Sequence, residues 1–221
     1  MILQGEAFAA LAGIPSSGGP NRPADAVRLG EVQLVRRGGE VARLPKAGPE
    51  HVFGVLSGAL RTCRILADGR RQIMAFLFPG DWCWLEDRLG HPTAVEAITE
   101  AQVVRMGRRQ LAAPAADGGT VMSKILHASL TAALDRNVTL GQKSARDKVA
   151  AFLLDMSLRL AEGGPELHLP MSRYDIADYL GLRSETVCRT LAQLAAARVI
   201  ALPDPQHVRI LDRAALETAL N

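Results

Sequence analysis

Six consecutive residues, Ser184-Glu185-Thr186-Val187-Cys188-Arg189, include side chains able to read the edges of base pairs. An Arg can donate two hydrogen bonds to guanine O6 and N7, a Glu can accept from cytosine N4, and a Thr can reach a phosphate. That chemistry needs a helix to present it. Val187, Leu191 and Leu194 recur at steps of four and three, so a helix here buries that face and turns Glu185, Thr186, Cys188 and Arg189 outward. The outward face is one that a major groove could meet.

The flanking residues supply what would position such a helix. Ser172 followed by Asp175 forms a capping box that starts a helix over 173–180. Gly181 ends it, because a sharp helix-to-helix turn demands a left-handed residue. Small Ala177 lets the two helices approach closely, and Ile176, Leu180, Leu182, Val187, Leu191 and Leu194 supply the interior, which is helix-turn-helix spacing. Residues 199–202 and 207–211 flank Pro203-Asp204-Pro205-Gln206 and read as a hairpin wing, after which Asp212 caps a last short helix. Arg183 precedes the second helix, so its start is capped by Ser184 or only weakly. The competing reading is a helical hairpin in which Glu185 and Arg189 are an ordinary surface pair four residues apart.

Cys188 is also a candidate redox residue. It lies in the first turn of the second helix, where amide dipoles favour an anion, with Arg183 and Arg189 close in sequence. The plainer alternative is that it replaces a Ser of similar size and touches a base or a thymine methyl.

Upstream, Ser144-Ala145-Arg146-Asp147 is another capping box, opening a helix through Val149, Phe152, Leu153, Met156 and Leu160 that ends near Gly163-Gly164-Pro165. Before it, Leu126, Leu130, Ala133, Asn137 and Leu140 alternate steps of four and three along a long helix. They form either a dimer seam, with Asn137 fixing register, or the buried stripe of a helix packed within its own monomer. Met122 and Ile125 lie beside that seam. Residues 52–56, 59–65, 72–78, 94–98 and 103–106 read as strands between turn signals such as Gly38-Gly39, Gly58, Asp68-Gly69 and Gly80-Asp81, a spacing that suggests a β-sandwich or barrel. The first 30 residues are rich in Gly, Pro, Ser and Ala, with a short helix near 7–12.

The resulting organisation is a segment 1–30, a β domain 31–115, a seam helix 116–142 and a helical DNA-binding domain 143–221. At 221 residues the chain can hold two ordinary domains, and 48% hydrophobic with 22% charged residues excludes a disordered or collagen-like chain. Its three cysteines, Cys63, Cys83 and Cys188, are far apart and form no CxxC pair, which points away from a disulfide framework or metal knuckle and toward a reducing cytoplasm. Gln4, Gly5 and Glu6 interrupt any signal core, and no run approaches the roughly 20 apolar residues of a membrane span, so a soluble protein is expected. The net charge of +3 is weak support for nucleic-acid binding: residues 1–140 hold 16 Lys+Arg against 13 Asp+Glu, whereas 141–221 hold 10 of each. Walker loops, nucleophile elbows and HExxH motifs are absent, so no enzyme is read here.

Taken together, these motifs resemble the CRP/FNR family of bacterial regulators, named for the cyclic-AMP receptor protein and the fumarate-nitrate regulator. The resemblance covers roughly 31–216. It is carried by Gly39, Gly48, Gly58, Asp68-Gly69-Arg70 and Pro79-Gly80-Asp81 in the β region, by the hinge at 144–150, and by Leu169-Pro170-Met171-Ser172-Arg173 through Glu185-Thr186-Val187-Cys188-Arg189. The last two segments are most similar to the FNR and FixK branches. What the resemblance implies is an α+β chain: an N-terminal β-roll of the cyclic-nucleotide-binding type, a long dimerisation helix and a C-terminal winged helix-turn-helix. It implies a homodimeric transcription regulator, expected to act as an activator, that binds a TTGA/TCAA-type palindrome and acts on RNA polymerase. Glu185 and Arg189 would read bases and Arg173 and Thr186 hold phosphates, with Ser172, Arg183, Ser184 and Cys188 completing the DNA-binding set. The alternative is a β-roll module whose response to a small molecule is the main function, with Trp82, Trp84, Glu86 and Arg88 near its site. Cyclic-nucleotide binders of the family hold the phosphate with a glycine-glutamate pair followed by arginine-serine. This chain has Trp82-Cys83-Trp84-Leu85-Glu86 and His91-Pro92-Thr93-Ala94 instead. An amino-terminal cysteine cluster for iron-sulfur sensing is also lacking. No cofactor is therefore expected, and the effector stays unassigned.

Overall fold

The computed structural model describes residues 2–3, 31–43, 52–84, 93–106, 130, 144–160 and 166–218. Two compact units divide the chain, Met1–Leu134 and Asp135–Asn221. The first is built of short strands: β1 (Ile2–Leu3), β2 (Glu31–Val35), β3 (Glu40–Arg43), β4 (Val52–Ser57), β5 (Leu60–Ile65), β6 (Arg71–Leu77), β7 (Trp82–Trp84), β8 (Thr93–Ala97) and β9 (Ala101–Met106). They form two antiparallel sheets, ordered β1-β7-β4-β9-β2 and β3-β8-β5-β6. Phe53, Val55 and Val103 from the first sheet and Leu60, Leu77 and Val95 from the second meet in one buried cluster. Each such side chain contributes roughly 1.5–3 kcal/mol by leaving water.

Turn chemistry closes these strands in register. At the β5–β6 hairpin the Leu66 amide donates to Arg70 O at 2.8 Å, the Gly69 amide to Leu66 O at 2.9 Å, and Arg70 Nε to Asp68 Oδ2 at 2.6 Å. Gly69 takes φ 81° there, as the Asp68-Gly69 signal requires. Gly58 is constrained twice: its φ is 80°, and a Cβ would run into the Glu100 carbonyl oxygen and come within 2.8 Å of Ala101 Cα.

The second unit contains α1 (Ala145–Leu160), β10 (Glu166–His168), α2 (Arg173–Leu180), α3 (Ser184–Ala196), β11 (Ile200–Ala201), β12 (His207–Ile210) and α4 (Arg213–Thr218). The Ser144 amide donates to Asp147 Oδ2 at 3.0 Å and the Asp147 amide to Ser144 Oγ at 3.3 Å, the reciprocal cap expected at the start of α1. Val149, Phe152, Leu153 and Met156 are buried, whereas Leu160 is half-buried at the end of the helix. The strands join as β10-β12-β11. Strand β10 is absent from the sequence reading: three residues are too few to show a period, and its partner lies about 40 positions downstream.

Of the seam residues, Leu126, Ala133, Asn137 and Leu140 lie outside the described residues, together with Met122, Ile125 and the helix expected near 7–12. Leu130 is described, helical and 60% exposed. Among the described residues, no helix is long and apolar enough to cross a membrane.

Candidate nucleic-acid interface

Ser172 is extended at φ −74°, ψ 163°, and caps α2: its Oγ accepts from the Asp175 amide at 3.1 Å while its own amide donates to Asp175 Oδ2 at 3.1 Å. Ser172 Oγ also donates to that carboxylate at 2.8 Å, so Asp175, only 4% exposed, is buried with hydrogen-bond partners in place. Gly181 ends the helix in the left-handed region, φ 64°, ψ 38°, with its amide donating to Ala177 O. Leu182 N donates to the same oxygen at 3.0 Å, and α3 begins three residues after the glycine.

The N-cap of α3 is Arg183, at φ −84°, ψ 147°, and no side chain caps the helix. Arg183 O accepts from Thr186 N at 3.0 Å and Val187 N at 3.1 Å. The opening amides of α3 thus have no side-chain acceptor of their own. A helix end of this kind suits a phosphate, because the amides and the helix dipole both favour an anion.

Burial sorts the residues of α3 by face. Val187, Thr190, Leu191 and Leu194 are buried, while Glu185, Cys188 and Arg189 are exposed and Ser184 and Thr186 half-buried. Ser172 and Arg183 are exposed as well, and Arg173 is half-buried. Burial pulls the Arg173 pKa down from its ordinary value, and negative charge on the Cys188 sulfur acts in the opposite direction. Arg173 of α2 is thus within electrostatic range of Cys188 of α3, a relation across the turn that sequence distance hides. Two further features escaped the sequence reading. The exposed stripe continues through Ala192, Gln193 and Ala196, legible from the same period of three and four, and Tyr174 beside Arg173 is 71% exposed.

The wing is anchored at its tip by Asp204, whose Oδ1 accepts from the amides of Gln206 at 2.8 Å and His207 at 2.9 Å. Leu169 N donates to Gln206 O at 2.7 Å, which ties that tip to the segment entering α2. Asp212 Oδ1 accepts from Ala215 N at 2.9 Å, capping α4 as expected. A half-buried polar cap, two helices at a tight glycine turn, an outward Glu-Cys-Arg face and a three-stranded wing together define a winged helix-turn-helix.

Comparison with known proteins leads to the same class. Residues 147–219 match the Crp-like helix-turn-helix domain and residues 37–115 the cyclic nucleotide-binding domain. The nitrogen fixation regulation protein FixK of Azorhizobium caulinodans is 38% identical over 203 residues, 88% of this chain and 82% of that protein. FixK of Rhizobium meliloti is 37% identical, covering 76% and 78%. The solved structure of FixK2 from Bradyrhizobium japonicum superposes with a TM-score of 0.73 at 37% identity, over 86% of this chain and 96% of that one. The chain belongs to the CRP/FNR family of DNA-binding transcription regulators, close to its FNR and FixK members, and these relatives are regulators rather than enzymes.

By the resemblance, this sequence lacks the residues that hold a cyclic phosphate in binders of the family. At the place where binders of that kind carry a glycine-glutamate pair, β7 runs as a strand paired with β4 on one side and β1 on the other. Trp82, 5% exposed, covers Gly54 so closely that a Cβ there would lie 2.7 Å from the indole. Glu86, Arg88, His91 and Pro92, the last in the place that the resemblance gives to the arginine neutralising the phosphate, lie outside the described residues; a buried phosphate without its counter-charge is costly.

Proposed function

We propose that two copies of this chain, joined along a helix spanning 116–142, bind a TTGA/TCAA-type palindrome and control RNA polymerase at the promoters that carry it, as a cytoplasmic activator. In this reading 31–115 is the effector domain and 143–221 the DNA-binding domain, with Leu126, Leu130, Ala133, Asn137 and Leu140 in the seam. Of these, Leu130 is exposed on a helix, as a seam position is in a single copy. The observation that carries the DNA reading is the division of α3, with Val187, Leu191 and Leu194 inside and Glu185, Cys188 and Arg189 outside.

On DNA, α3 enters the major groove by its first turns. Arg189 donates to guanine O6 and N7, and Glu185 accepts from cytosine N4. Arg173, Thr186 and Ser172, with the uncapped amides of α3 and the side chains of Arg183 and Ser184, hold the flanking phosphates. Cys188 faces a base. A gel-shift titration with a TTGA/TCAA duplex and a scrambled duplex of equal length tests the reading. Preference of about a thousandfold or more is expected for the palindrome; equal affinity for both duplexes refutes base recognition.

A further inference from the structure

One face of the wing carries a constellation that the reader helices do not use. Strand alternation places Leu167 and Val208 in the core and leaves Glu166, His168, His207 and Arg209 on the other face of the β10–β12 ladder. Glu166 and Arg209 pair across the strands at 3.4 Å. Directly beside them the rings of His168 and His207 lie against each other, with centroids 4.9 Å apart and planes at 33°. His207 Nδ1 is 2.7 Å from Asp204 Oδ2. The Asp204 carboxyl is held below its ordinary pKa, first by the Gln206 amide and then by the His207 ring, so it is ionised at neutral pH. Facing a carboxylate, Nδ1 of His207 carries the proton, and Nε2 is left as the nitrogen that gains or loses one.

This pair lies next to the proposed interface. His168 precedes the α2 cap Ser172 by four residues, at most about 14 Å of extended chain, and the bond from Leu169 N to Gln206 O fixes the wing tip to that same segment. We propose that His168 and His207 form a proton-linked contact to the DNA backbone. His207, protonated at Nε2, donates to a phosphate oxygen from between that phosphate and Asp204, while His168 supports the ring by stacking. This rests on the reading of Ser172 and α3 as the DNA-facing surface.

The sign follows from charge. Neutral His207 offers the phosphate a lone pair, which repels it; the imidazolium offers a donor and a positive charge. Binding therefore takes up a proton at Nε2, so the added affinity falls as pH rises. The other charged groups on this face are Glu166 and Arg209, paired with each other, and Asp204. Ala201 opposite Arg209 adds no charge, and α1 meets β10 on the side of buried Leu167.

The test is fluorescence anisotropy of the full chain on a TTGA/TCAA duplex from pH 6 to 8 at fixed ionic strength. Wild type, His207→Gln, His168→Gln and Arg189→Ala are compared, with circular dichroism confirming that each is folded. Wild-type affinity is expected to rise by roughly three- to tenfold per pH unit on acidification, the span for a fractional to full proton. His207→Gln should be flat and His168→Gln shallower than wild type, while Arg189→Ala binds more weakly yet keeps the wild-type slope. Calorimetry in two buffers of different ionisation heat should show proton uptake by wild type that His207→Gln lacks. Equal slopes in wild type and His207→Gln overturn the proposal while leaving the DNA reading intact. No palindrome preference at any pH overturns both.

Discussion

Replacing Gly181 by Ala isolates the backbone energetics of the turn that sets the two reader helices against each other. Gly181 sits at φ 64°, ψ 38°, and a Cβ built on it meets nothing within 4 Å. The cost is thus conformational, not steric. An L-residue in the left-handed region costs about 1–2 kcal/mol, and Ala recovers about 0.4–1 kcal/mol by narrowing the unfolded ensemble. The net loss should be about 0.5–1.5 kcal/mol for Gly181→Ala, and smaller for Gly181→Asn, because Asn enters this region more readily. Urea unfolding of the full chain, followed by far-UV circular dichroism, measures both. Gly58→Ala provides the contrast: it adds a collision with the Glu100 carbonyl to a φ of 80°, and should lose clearly more. A loss above about 3 kcal/mol for Gly181→Ala, or a gain, would refute the geometry of the turn.

Other outcomes follow from the same surfaces. Arg189→Ala should cost about 1–3 kcal/mol of specific DNA affinity and relax discrimination at one guanine, measured by competition with single-base variants of the palindrome. Arg198 is exposed at φ 56° just beyond α3, so Arg198→Gly should stabilise the chain by about 0.5–1 kcal/mol in the same urea titration. Millimolar cyclic AMP should leave the melting temperature unchanged, because stabilisation grows as RT ln(1 + [L]/Kd) and His91-Pro92-Thr93 lacks the arginine by which the family's binders hold the phosphate. Peroxide should weaken DNA binding through Cys188, which is exposed within electrostatic range of Arg173, while Cys63 and Cys83 are buried. Equal loss in wild type and Cys188→Ser would leave Cys188 as a contact residue only.

Local chemistry was the most legible part of this chain. The capping boxes at Ser144 and Ser172, the glycine turn at Gly181 and the buried face of α3 are each set by residues within one or two helical turns, so spacing alone exposes them. The five strands read from the sequence also exist, with ends shifted by one or two residues; Ala59, for example, precedes β5, which runs Leu60–Ile65. Long-range pairing was harder to see. Strands β7 and β10 have three residues each and owe their existence to partners far along the chain, so Trp82 and Trp84 read from sequence as neighbours of a small-molecule site and not as a strand. Arg183 illustrates a different limit. A cap position can be located from sequence, but whether any side chain fills it depends on rotamers, and here none does.

The pairing of β10 with β12 has a consequence for how this module can change over generations. Glu166 and Arg209 are 43 residues apart, and their strands knot off a loop that contains both reader helices. Closing a loop costs entropy that grows only with the logarithm of its length, so once the knot is tied, a residue added at the exposed turn 203–205 changes that cost very little. The stripe Glu185-Cys188-Arg189 lies on the exposed side of α3, away from the buried Val187, Leu191 and Leu194. If the proposed base contacts hold, new base preferences can be tried on that stripe at small cost to folding, whereas a lesion at Leu167 or Val208, both buried in the knot, would release the whole helix-turn-helix at once.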